Sequence, residues 1–62
     1  MNFYIVETIY YKARFLVAAL SDTGAKMRVM EHLSRNRINV KITELEAVRI
    51  STFMNGETVR EI

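Results

Sequence analysis

The chain has 62 residues, no cysteine, no proline and one histidine, and nine Lys/Arg against seven Asp/Glu give a net charge of +2. That length holds a single domain, residues 1–62, and buries only about 60% of the surface its unfolded form exposes. Disulfides and thiolate metal sites are excluded, a lone histidine excludes a histidine cluster, and stability must come from packing or from a second copy of the chain. Half the residues are hydrophobic, enough for a core.

Residues 3–10, FYIVETIY, are β-branched and aromatic, which predicts a strand. Phe3, Ile5, Glu7 and Ile9 share one face; Tyr4, Val6, Thr8 and Tyr10 share the other. Residues 13–20, ARFLVAAL, predict a second strand, with Phe15, Val17 and Ala19 alternating against Leu16, Ala18 and Leu20. The link around Tyr11 and Lys12 carries no Gly, Pro, Asn or Asp, so a hairpin is expected from adjacency alone. One long bent strand is the alternative.

SDTGAKMRVMEHLSRN, residues 21–36, carries helix punctuation. Ser21 or Asp22 can accept hydrogen bonds from the first free backbone N–H groups. Ala25, Val29, Met30 and Leu33 fall on one apolar stripe, and Met27 falls outside it. Asn36 is the expected stop, and Arg35 suits the negative end of the helix dipole.

From Ile38 the period returns to two: Ile38, Val40 and Ile42 alternate with Asn39, Lys41 and Thr43. The phase breaks before Leu45, Val48 and Ile50, so a bulge or bend is expected near Glu44–Ala47. Asn55-Gly56 predicts a tight terminal hairpin, placing Phe53 opposite Thr58 and Thr52 opposite Val59. A short helix from Glu57 is the alternative.

The expected order is β-β-α-β-β, an α+β fold in which one helix packs on one face of a small antiparallel sheet. Nothing in such a fold covers the second face. Tyr4, Val6, Tyr10 and Leu16, or their opposite-phase neighbours, must then meet water or another chain, which favours a homodimer. The longest apolar run, Phe15–Leu20, has six residues, far short of the roughly 18–20 of a membrane span. A cytoplasmic protein with no membrane partner is the expectation, from a microbe or its virus.

VAALSDTGA, Val17 to Ala25, fits the pattern Val-x-Ala-x-Ser-x-x-x-Ala. With the preceding YIVETIYYKARF, it resembles small strand–strand–helix–strand accessory proteins of phages and mobile elements, over Phe3 to Ile50. The link between the strands is longer here and lacks polar turn residues, and Gly24 stands where acidic residues are usual. The resemblance implies a small binding protein and assigns no functional residue.

Charge is unevenly spread. Residues 26–41 hold Lys26, Arg28, Arg35, Arg37 and Lys41 against the single acid Glu31. This could be a polyanion site, with Arg28, His32 and Arg35 in a row on the helix, or a solvated face that Glu31 partly neutralises through Arg35. The tyrosines could stack on bases, but the basic residues do not interleave with them, so core or interface use is expected. His32 has no nucleophile or carboxylate positioned beside it, the region of Gly24 lacks the Lys-Ser/Thr of a phosphate loop, and the methionines read as gap fillers. No catalytic residue, metal ligand or cofactor is expected.

The expected function is therefore non-enzymatic: an interaction protein, working as a homodimer, that binds and modulates a protein partner through Tyr4, Tyr10, Tyr11, Met27, Arg28 and Arg35. The alternative is nucleic-acid binding through Lys26, Arg28, Arg35, Arg37 and Lys41.

Overall fold

The computed structural model describes residues 2–10, 13–50 and 59–61. Strand β1 (Asn2–Thr8) is followed by β2 (Arg14–Ala19), helix α1 (Asp22–Arg35), a 3-10 turn (Ile42–Glu44) and β3 (Leu45–Ile50). A three-residue strand, β4 (Val59–Glu61), completes the order. The sheet is antiparallel in the order β3-β1-β2-β4. An α+β fold with one helix on one face of the sheet is thus observed.

Register decides which side of each strand meets the helix. Tyr4 pairs with Val17 and Arg49, Val6 with Phe15 and Ala47, and Thr8 with Leu45. Tyr4, Val6, Phe15, Val17, Ala19 and Leu45 are buried on this side with Ala25, Val29 and Leu33 of α1. Phe15, Val6, Val17 and Val29 are the largest side chains sealed from solvent. Burying each contributes about 1.5–3 kcal/mol, so this single layer carries most of the fold's stability.

The helix forms where its punctuation stands. The Gly24 N–H donates to Ser21 Oγ at 3.1 Å and the Ala25 N–H to the Ser21 carbonyl at 2.9 Å. Asp22 accepts from the Thr23 N–H at 2.8 Å, next to the positive end of the dipole. At the other end the Ile38 N–H donates to the Leu33 carbonyl and the Arg37 N–H to the Ser34 carbonyl, at 2.9 and 3.0 Å. This paired closure is a Schellman motif. It needs a left-handed residue after the cap, and Arg37 takes that conformation with φ 61°. Ile38 then packs back on the core.

One expectation needs correction. Residues 38–41 form no strand. Ile38 and Val40 alternate because they turn inward against the core, while the chain runs extended without a ladder partner. The phase break is the 3-10 turn, closed by the Glu44 N–H on the Lys41 carbonyl at 2.9 Å. Val59 pairs with Val17, because β4 lies against β2 at the far edge from β3; Thr52, expected opposite Val59, lies outside the described residues. The Asn55-Gly56 turn and the Phe53–Thr58 pair lie outside the described residues, as does the start of the alternative helix at Glu57.

Candidate interaction site

The face of the sheet away from α1 is built by the opposite phase of the same strands. One row is Ile50, Phe3 and Ala18; the next is Val48, Ile5 and Leu16; the last is Glu46, Glu7 and Arg14. No described element packs on this face. Val48 is 60% exposed, Phe3, Ile5, Leu16 and Ile50 are half-buried, and Ala18 is buried. Arg14 Nε donates to Glu7 Oε1 at 3.1 Å, with both side chains about half exposed. Among the described residues the face is therefore an apolar patch with a charged border along one end.

A second surface is the outer ridge of α1. Ala25, Val29 and Leu33 face the sheet, so Met27, two residues round from Ala25, points to water and is 59% exposed. Arg28 and Arg35 are exposed on one flank, and Arg35 Nη2 donates to Glu31 Oε1 at 2.6 Å. Between these arginines His32 turns inward, with its ring edge-to-face with Phe15 at 5.7 Å and 66°. His32 packs on Phe15 here, and among the described residues its ring has no carboxylate or hydroxyl hydrogen-bond partner.

Of the expected contact residues, Met27, Arg28 and Arg35 are exposed together on this ridge. Tyr10 is 66% exposed but belongs elsewhere: its hydroxyl bonds the Glu44 carboxylate at the 3-10 turn. That bond and the nearby negative charge hold the Tyr10 pKa above its ordinary value. Glu44 is held below the usual carboxylate range, first by the Lys41 N–H, which donates to Oε1 at 2.7 Å, and then by Tyr10. Tyr4 is a correction. It is 5% exposed because its phase puts the ring under α1, so it belongs to the core and not to a surface. Tyr11 lies outside the described residues.

The basic residues do not converge. Lys26 and Arg28 are two positions apart, hence about 200° round the helix, and sit on opposite flanks of the buried stripe. Arg35, Arg37 and Lys41 are exposed around the C-terminal end of α1 and the segment after it.

An open depression of about 460 Å³ lies at the start of α1, lined by Tyr4, Leu20, Ser21, Asp22, Ala47 and Arg49. It brings a carboxylate and a guanidinium to one rim, which favours neither sign of ligand. Among the described residues no three His, Cys, Asp or Glu side chains are grouped to hold a metal ion, and no helix is long and apolar enough to cross a membrane.

The open sheet face is the feature that sequence reasoning left unresolved. Both phases of β1 and β2 are apolar, so either could have been the core. The signal was present in Glu7 and Arg14: the phase that carries both charges is the one a helix cannot cover cheaply.

No protein-family model, no curated protein and no solved structure matches this chain.

Proposed function

We propose that this chain is a small non-enzymatic interaction module that works as a homodimer and binds and modulates a protein partner. The apolar sheet face that no described element covers carries the reading, since Phe3, Ile5, Leu16, Val48 and Ile50 keep solvent-accessible apolar surface side by side there. The helix ridge supplies a separate surface for the partner. Met27 offers an apolar anchor beside the arginines at 28 and 35, which suits an acidic protein surface with an apolar notch. The resemblance to small accessory proteins of phages and mobile elements points the same way.

The test is affinity capture with the wild-type chain and with Met27→Glu/Arg28→Glu, after nuclease treatment. The expected result is an acidic protein captured by the wild type and lost by the variant, with unfolding midpoints that agree. Capture that survives the double substitution overturns the ridge as the partner surface.

A second reading is nucleic-acid binding through Lys26, Arg28, Arg35, Arg37 and Lys41. It is favoured by the exposure of Arg35, Arg37 and Lys41 around one helix end. It requires affinity that falls linearly in log salt, and no binding of labelled DNA or RNA at about 50 mM salt removes it.

A further inference from the structure

The charged border of the open face carries opposite charges at its two ends. Across β3, β1 and β2 it runs Glu46, Glu7, Arg14. Arg14 is engaged by Glu7. Glu46 stands directly opposite Glu7 on the neighbouring strand, a like-charge pair of the kind that weakens a ladder. Among the described residues Glu46 makes no salt bridge. Among the described residues the border thus runs from a carboxylate at β3 to a guanidinium at β2, with β1 midway between them.

We propose that a second copy of this chain covers the open face, packed sheet against sheet about a twofold axis parallel to the strands and over β1. This rests on the homodimer reading above and specifies its face and its orientation. Sheets that pack face to face keep their strands within about 30° of each other. A twofold along the strands preserves height and inverts lateral order. It therefore lays β3 of one copy over β2 of the other, charged border over charged border. Glu46 then meets Arg14 of the second copy, and Arg14 meets its Glu46, so the unpaired carboxylate gains a cation twice by symmetry. Along the same rows Val48 comes over Leu16 and the bulky Ile50 over the small Ala18. A twofold across the strands would instead set Glu7 and Arg14 over Phe3 and Ala18, burying charge against apolar surface. Of these two, the first sets charged row over charged row and apolar row over apolar row; on the axis Glu7 faces Glu7 of the second copy, each carboxylate held by Arg14 of its own chain.

The test is a charge exchange read by sedimentation velocity over a concentration series. Glu46→Arg sets arginine against Arg14 of the other copy while easing the Glu7 repulsion within its own chain, so its fold is secure. Its dimer Kd is expected to rise about tenfold or more. Arg14→Glu/Glu46→Arg restores a mirror image of the native border and should return the Kd to within about threefold of wild type. Val48→Lys, at an exposed position, should also dissociate the dimer. A Kd indifferent to Glu46→Arg, or a double variant no tighter than Glu46→Arg alone, overturns this arrangement. A wild-type chain that is monomeric at high micromolar concentration overturns self-docking altogether. If that monomer still captures an acidic protein, the partner-binding reading stands; if the dimer behaves as expected and capture fails, only that reading falls.

Discussion

Glu7 and Glu46 face each other across the β1–β3 ladder on the open side of the sheet, two carboxylates in directly paired positions. Opposite-charge cross-strand pairs stabilise by roughly 0.2–1 kcal/mol and like-charge pairs oppose the ladder by similar amounts. Glu46→Lys is therefore expected to raise the urea midpoint of dilute protein. The gain should shrink as salt rises from about 50 mM to 1 M, since both groups are exposed. A stability change of the same size at both salts would mean that the two carboxylates do not interact.

Arg37 closes the helix in a conformation that favours glycine. A non-glycine residue in the left-handed region costs on the order of 1 kcal/mol. Arg37→Gly should stabilise the fold by about that amount, and Arg37→Val should weaken it further, because a β-branched side chain crowds the backbone there. Thermal denaturation of the three proteins checks the order Gly, Arg, Val.

The helix start offers the converse pair. Ser21→Ala removes the acceptor of the Gly24 N–H and should cost about 1 kcal/mol, while Ser21→Asp should be close to neutral. Gly24 itself has no need of glycine. A Cβ there would lie 3.4 Å from Ser21 Oγ and 3.7 Å from Ala19 Cβ, which is ordinary contact. Gly24→Ala should add up to about 1 kcal/mol of helix stability. A loss on Gly24→Ala, seen in urea melts, would show that the cap cannot accept that contact.

Helix α1 was legible in the sequence because its signals are local. Ser21, the Ala25–Val29–Leu33 stripe and Asn36 each act within one or two turns. The sheet was legible as strands but not as a pairing scheme. Val59 and Val17 are 42 positions apart, and no local pattern announces that β4 seeks β2. Ile38 and Val40 misled for a related reason: inward packing of an extended segment produces the same alternation as a ladder. The candidate site was half legible. Met27 stood out by falling off the helix stripe, whereas the open face depended on which phase of β1 the helix would choose.

Tyr10 and Glu44 tie the end of β1 to the 3-10 turn, and the tie depends on pH. Glu44 is depressed in the folded state, so its contribution is present above about pH 4.5 and is lost as pH falls through its folded value. Tyr10 is raised, so its contribution is present below about pH 10.0 and is lost as pH rises through its folded value. In a carboxyl titration followed by NMR, Glu44 should titrate below the ordinary range. Tyr10→Phe should move it only part of the way back, because the Lys41 N–H is the larger cause. A Glu44 titration unchanged in Tyr10→Phe would remove the hydroxyl from the tie.

Tyr4 and Met27 separate core from surface. Both are large side chains that the sequence offers as contact residues, yet Tyr4 is 5% and Met27 59% exposed. Truncating a buried aromatic costs about 3–5 kcal/mol, a large share of the 5–15 kcal/mol that a domain commonly has. In a chain this short Tyr4→Ala should leave no cooperative transition at 37 °C. Tyr4→Phe should lie within about 1 kcal/mol of wild type, because among the described residues the hydroxyl has only a long 3.5 Å bond from Asn2 Nδ2. Met27→Ala should change stability by less than about 0.5 kcal/mol, as exposed substitutions usually do. Circular dichroism melts of the three variants decide the matter: a folded, stable Tyr4→Ala chain would mean that this ring is not part of the core, and the assignment of the two sheet faces would have to be exchanged.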